Sequence, residues 1–218
     1  MNRSIIVAAV AALLLMGFAG AAYLYSPKQD ATQTKTAAVD SESSLVRSHS
    51  PILGDKNAPV TIVEFFDPAC EACRAFHPYV KQILKKHTGS VRVVLRYAAF
   101  HNGSEEAVRI LETARLQGLF TPVLEALLAA QPRWASHGTP NINLAWEAAA
   151  TAGLDIPRAR KDMLLPGITS VLLQDAEDIK SVGVRQTPTF FVNGKPLESF
   201  GPIQLDELVR QEIGLAQN

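Results

Sequence analysis

Val60-Thr61-Ile62-Val63-Glu64-Phe65-Phe66-Asp67-Pro68-Ala69-Cys70-Glu71-Ala72-Cys73 is the stretch on which the reading of this chain turns. Its first seven residues form an apolar run of strand length, β-branched and aromatic, interrupted only by Glu64. Such a run suits a central strand buried on both faces. Cys70 and Cys73, the only two cysteines in 218 residues, open a segment in which Cys73, Phe76, Val80, Ile83 and Leu84 share one helical face. Two thiols at this spacing on a helix N-terminus can close a disulfide, and the amide dipoles there favour the first sulfur as a thiolate. Half of a zinc site has the same spacing, but no second cysteine pair exists to complete one. Redox chemistry is the leading reading.

Outward from this stretch, Pro78 should kink the cysteine helix, and Val91 to Tyr97 reads as the next strand. Strand, helix, strand is a βαβ unit with a parallel pair. Five helical segments follow. Ser104 caps the first and Thr121-Pro122 opens the second. Leu144–Ala152, Asp155–Leu164 and Ile168–Val182 complete the set. Strands then return as Pro188–Val192 and Lys195–Phe200 around the turn Asn193-Gly194, the strongest short hairpin signal. A last helix, Ile203–Ile213, carries Leu205, Leu208, Val209 and Ile213 on one face.

Composition narrows the remaining classes. At 47% hydrophobic content the chain can bury a full core. Its formal net charge of +0 and lack of a basic tract argue against nucleic acid. Arg3 precedes an uncharged, mostly apolar run, Ser4 to Tyr25, with Ala19-Gly20-Ala21 as a small-residue cleavage site. A secretory signal needs an apolar stretch of roughly 7–15 residues and a spanning helix about 20. The run fits both, so residues 1–25 are a signal peptide or an N-terminal membrane anchor. Either places the rest in an extracytoplasmic, oxidising space such as the periplasm. Residues 26–50, rich in Ser, Thr, Ala, Gln and Asp, form a flexible linker. Residues 51–218 form the folded domain.

The order of elements, with Cys70-x-x-Cys73 opening a helix, Pro78 inside it and Thr187-Pro188 before a hairpin, resembles the thioredoxin fold. The helical stretch at about 103–183 resembles the insertion of DsbA-like thiol:disulfide oxidoreductases. The resemblance implies an α/β fold with a central mixed sheet, no cofactor, and disulfide exchange with cysteine-containing proteins, more by oxidation or isomerisation than by reduction. It implies that Cys70 is an exposed nucleophile and Cys73 the resolving thiol. Glu64 resembles the buried acid beneath the cysteine pair, its pKa raised by desolvation. Pro188 resembles the family's cis-proline, with the Thr187 hydroxyl directed at the thiolate. The implied partner is a quinone-linked membrane thiol oxidase of DsbB or vitamin-K-epoxide-reductase type, or a DsbD-like reductant, acting on a monomer. Glu71-Ala72 departs from the Pro-His pair of DsbA itself, and a carboxylate beside Cys70 should make the disulfide a weaker oxidant.

Two other classes remain open. Cys70, Cys73 and His77 could carry a soft metal such as Cu(I), or the scaffold could be a non-catalytic binding module. His101, in Phe100-His101-Asn102-Gly103, fits an ordinary loop residue better than one at the rim of the site. Trp134 and Trp146 fit burial within the helical stretch better than a substrate groove.

Overall fold

In this computed structural model, residues 44–136 and 139–217 are described. Among them are five strands: β1 (Ile52–Gly54), β2 (Val60–Phe66), β3 (Val91–Tyr97), β4 (Thr189–Val192) and β5 (Lys195–Pro196). Seven helices accompany them: α1 (Glu71–Lys86), α2 (Ser104–Leu116), α3 (Phe120–Trp134), α4 (Ile142–Thr151), α5 (Ile156–Asp162), α6 (Pro166–Val182) and α7 (Pro202–Ala216). The sheet order is β1-β3-β2-β4-β5. β2 and β3 pair in parallel through the α1 crossover, and the other pairs are antiparallel. The expected mixed sheet and helical insertion are both present.

β2 is apolar apart from Thr61 and Glu64 because it is central. β3 and β4 satisfy its two edges, and both of its faces are covered. Side chains alternate between faces along a strand. Val60, Ile62 and Phe66 therefore enter the larger core with α1, α7 and the helical insertion. Val63 and Phe65 enter a smaller core with Leu45, Val94, Ile179 and Val184. The same alternation turns Glu64 to the α1 face. α1 runs through Pro78 as one helix and buries Cys73, Phe76, His77, Val80 and Ile83. Phe76 packs on Phe190 of β4 with ring centroids 4.9 Å apart, which holds α1 over the sheet.

The opposite face carries a buried ion cluster. Arg96 of β3 is fully buried and donates to Asp175 Oδ1 at 2.7 Å and Asp178 Oδ2 at 2.5 Å, both from α6. Asp175 also accepts the backbone N–H of Tyr97 at 2.7 Å. Residues 44–50, placed in the linker by composition, belong to the fold. Leu45 is buried, Arg47 donates to both Asp178 oxygens at 2.7 and 2.9 Å, and His49 lies 2.7 Å from Asp175. Composition alone could not reveal this, because the anchors are one leucine, one arginine and one histidine, and the carboxylate partners of the last two lie more than a hundred residues away.

Three local expectations are corrected. Ser104 is the first helical residue of α2, not its cap; Gly103 occupies the cap at φ 81°, and the serine hydroxyl donates to Asp67 Oδ1 instead. α3 begins at Phe120, so Pro122 lies within its first turn and Thr121 is not the cap. β5 stops at Pro196, short of the expected Phe200, although the Leu197 N–H still donates to Phe190 O at 3.0 Å. The apolar run 4–25 and linker residues 26–43 lie outside the described residues. Among the described residues no helix is long and apolar enough to cross a membrane.

Removing one partner of a buried ion cluster leaves uncompensated charge, at a cost of about 3–5 kcal/mol. Arg96→Ala, which takes the fully buried cation from two carboxylates, is expected to lower stability by about that amount in urea denaturation. Arg47→Ala should cost clearly less, because its side chain is 31% exposed. Equal losses for the two would contradict the buried role of Arg96.

Candidate active site

The end of β2 delivers the chain to α1 through Asp67-Pro68-Ala69. Asp67 is fully buried. Its Oδ1 accepts from Ala69 N–H at 2.8 Å and from the Ser104 hydroxyl. Its Oδ2 accepts from the Phe100 and His101 N–H groups at 2.8 and 3.1 Å and faces His101 Nδ1 at 2.7 Å. The carboxylate thus ties the turn before the cysteines to the loop between β3 and α2. Gln131 of α3 makes a second tie: its Nε2 donates to Pro68 O at 2.8 Å and Cys70 O at 2.9 Å, and its Oε1 accepts from Arg74 at 2.9 Å. Sequence reasoning missed both roles. An Asp followed two residues later by a free N–H is an Asx-turn signal, whereas nothing local marks Gln131.

Cys70 occupies the N-cap of α1 with φ −75° and ψ 120°, and both thiols are free. Contrary to the expectation of an exposed nucleophile, Cys70 is only 5% exposed. Its access is through a cavity of about 410 Å³ lined by Cys70, Glu71, Ala72, Phe100, His101 and Ser136, among others. The Cys70 thiol donates to Thr187 O at 3.3 Å. The Thr187–Pro188 bond is cis, and the Thr187 hydroxyl is buried without a hydrogen-bond partner, available to donate once Cys70 loses its proton. Cys73 is fully buried one turn inward, where its sulfur accepts the Asp67 N–H at 3.5 Å.

The two thiols are driven apart electrostatically. Cys70 is lowered to about 5, chiefly by the Cys73 thiol donating to its thiolate, with help from Thr187 and the N-terminal amides of Cys73 and Ala72; desolvation opposes this. Cys73 is pushed well above the ordinary thiol range, first by burial, then by its bond to Cys70 and the nearby Glu64. Glu64 lies between Leu95 and Phe190 on its flanking strands. It is 1% exposed and its Oε1 has no partner. Burial, then the Cys70 charge, raises it to about 8. β2 is interior to the sheet, so this is no edge-strand carboxylate. Cys70, Cys73, Glu64, Thr187 and Pro188 therefore gather at one place.

His77 does not join them. It is buried, with Nε2 3.0 Å from Glu125 of α3. Among the described residues no group of three or more His, Cys, Asp or Glu side chains is arranged to hold a metal. Trp134 and Trp146 are buried, donating to Leu127 O at 2.9 Å and Glu106 at 2.6 Å.

A family model described as thioredoxin matches residues 47–211. The chain belongs to the thioredoxin family. A protein of Rickettsia typhi named as a protein-disulfide oxidoreductase is 26% identical over 77% of this chain and 63% of its own length. A Na(+)/H(+) antiporter NhaA of Salinispora tropica is 32% identical over 72% of this thioredoxin-family chain, which spans only 23% of that transporter. Among solved structures, a thioredoxin-like oxidoreductase from Silicibacter pomeroyi superposes with TM-score 0.67 at 26% identity, covering 80% of this chain and 96% of the other. Alpha-DsbA1 of Wolbachia pipientis superposes with TM-score 0.71 at 18% identity, covering 81% and 97%. The latter likeness is one of fold: the thioredoxin scaffold with a DsbA-type helical insertion.

Two titrations follow from the site. Peptide-resolved alkylation of the reduced protein should show Cys70 half-reactive near pH 5 and Cys73 inert to well above pH 9. Glu64 has an ordinary value of 4.5 and a folded value of about 8. It therefore exacts no penalty on folding below pH 4.5, a growing one as pH rises to about 8, and a constant one beyond. Glu64→Gln should accordingly show a stability gain over the parent that is about 2–4 kcal/mol larger at pH 8 than at pH 4, at about 1.4 kcal/mol per unit discounted for relaxation. A gain independent of pH would mean that Glu64 is solvated.

Proposed function

We propose that this protein is a thiol:disulfide oxidoreductase of the DsbA type that exchanges disulfides with cysteine-containing proteins through Cys70 and Cys73. The observation that carries the reading is the unequal pair: an acidic thiol at the head of α1, reached from a cavity, over a buried, reluctant thiol beside a raised carboxyl. In the oxidising direction a substrate thiolate attacks Cys70 Sγ, the Cys70–Cys73 bond breaks, and Cys73 leaves with the electron pair. Glu64, protonated below its value of about 8, is placed to give that sulfur a proton. A second substrate thiolate then attacks the substrate sulfur of the mixed disulfide. The Cys70 thiolate is released, and two electrons have moved from the substrate to the pair. Run backwards, the same steps reduce a substrate.

Oxidation or isomerisation is the favoured direction. A nucleophile at about 5 lies between the approximate values of 7 for thioredoxin and 3.5 for DsbA. A potential of roughly −250 to −150 mV, inside their range of about −270 to −120 mV, follows. The apolar run 4–25 supports an extracytoplasmic setting, as a cleaved signal or an inner-membrane anchor, with residues 26–43 as tether. A quinone-linked membrane thiol oxidase would re-oxidise the pair; a DsbD-like reductant would serve the opposite direction.

Cys70→Ser is expected to abolish exchange with a model dithiol, and Cys73→Ser to accumulate mixed disulfides that non-reducing electrophoresis detects. Faster alkylation of Cys73 than of Cys70 would reverse the assignment. Equilibration with glutathione buffers measures the potential, and a value near −270 mV would favour a reductase.

A further inference from the structure

The cavity in front of Cys70 has a wall that the cysteine pair, Glu64 and Thr187 leave unused. His101 lines it together with Cys70. Its ring is held at one end only: Nδ1 lies 2.7 Å from Asp67 Oδ2, while the His101 backbone N–H donates to the same oxygen at 3.1 Å. Nε2 makes no hydrogen bond among the described residues, and the side chain is 49% exposed. Asp67 cannot swing away, because it is fully buried and fixed by Ala69, Phe100 and Ser104 as well. A carboxylate on Nδ1–H orients an imidazole and favours its protonated form.

The surroundings reinforce that preference. From the turn before α1 comes Asp67, from the head of α1 come Cys70 and Glu71, and all three favour the imidazolium. Among the described residues, the others lining the cavity, Ala69, Ala72, Phe100, Asn102, Ala135 and Ser136, are uncharged. Coupling between two titrating groups is reciprocal: if the Cys70 thiolate stabilises the imidazolium, the imidazolium stabilises the thiolate equally.

We propose that His101, buttressed by Asp67, is a positioning residue that stabilises the Cys70 thiolate across their shared cavity and so makes the redox poise depend on pH near neutrality. The proposal rests on the oxidoreductase reading above and deepens it. No bond to His101 forms or breaks. Its charge helps Cys70 leave the mixed disulfide and favours the reduced pair, supplying the cation that Glu71-Ala72 lacks.

The test uses the full chain without substrate. In His101→Gln, alkylation of Cys70 at pH 5 should slow about threefold to tenfold, as expected from loss of one partly exposed charge. The glutathione equilibrium should move toward the oxidised protein by a similar factor, tenfold being about 30 mV to lower potential. His101→Lys, which keeps a cation, should retain most of the parental reactivity. Wild-type profiles should show a second inflection at the imidazole titration that the Gln variant lacks. Unchanged alkylation and equilibrium in His101→Gln would overturn the proposal. Should that variant not fold, the wild-type protein decides by NMR titration of the imidazole. The His101 pKa must fall when the cysteine pair is oxidised and the thiolate disappears, and equal values in the two redox states would refute the coupling. A wild-type protein that shows the coupling yet exchanges no disulfides would instead sink the oxidoreductase reading alone.

Discussion

A carboxylate with no access to water must find donors inside the protein, and Asp67 finds them on three segments. Ala69 belongs to its own turn, Phe100 and His101 to the loop after β3, and Ser104 to the first turn of α2. A buried charge left unpaired would cost several kcal/mol, so these segments are obliged to meet at one point. That point is also where β2 ends and α1 begins. The Asp67 backbone N–H, pointing the other way, reaches the Cys73 sulfur. One residue therefore sets the place of the cysteine helix, the position of His101 and the first polar contact of the inner thiol. Gln131 completes the arrangement from α3 by holding two carbonyls of the same turn. This gives the helical insertion a reason to be where it is: it braces the head of α1.

The chemistry of the pair depends on which strand lies beneath it. Because β2 is interior, Glu64 has no route to water and keeps a proton up to about pH 8. On an edge strand open to water the same side chain would be an ordinary carboxylate, already ionised at neutrality. Pairing with β3 on one side and β4 on the other makes β2 interior, and its C-terminal end leads into the helix N-terminus. The ion cluster of Arg96, Asp175 and Asp178 works on the opposite face, anchoring α6 and residues 44–50 there. Alternation along β3 separates the two functions: Leu95 faces the redox side and Arg96 the anchoring side.

Much of this was legible in the residues. A continuous apolar run announces a central strand, Cys-x-x-Cys after it announces the helix head, and Thr-Pro before Asn-Gly announces the strand that returns beside it. Each is a local pattern with a local physical cause. What stayed hidden depends on distance. Arg96 reads as a strand residue until Asp175 and Asp178 arrive from α6, and Leu45, Arg47 and His49 read as linker until the same carboxylates receive them. Ser104 looks like a cap because caps are serines, yet its hydroxyl is claimed by Asp67, and Gly103 takes the cap position. The burial of Cys70 was hidden for the same reason, since a helix N-terminus looks exposed until Thr187 and the loop at His101 close over it.

The resemblance to DsbA made Glu71 the natural suspect for setting the redox poise, and the geometry shifts attention elsewhere. Glu71 lies on the exposed first turn of α1, where a carboxylate is screened by solvent. The forces that bring Cys70 to about 5 are short-ranged: the Cys73 thiol, Thr187, and the amides of Ala72 and Cys73. Desolvation amplifies each of them and penalises any thiolate left without donors. A thiol so nearly enclosed is therefore governed first by the donors that converge on its sulfur, with charges across the cavity acting second, and the identity of the dipeptide between the cysteines matters less than either. Three of those donors are backbone or cysteine groups that any Cys-x-x-Cys helix would supply. Thr187, on the far side of the sulfur, is the one the chain selected.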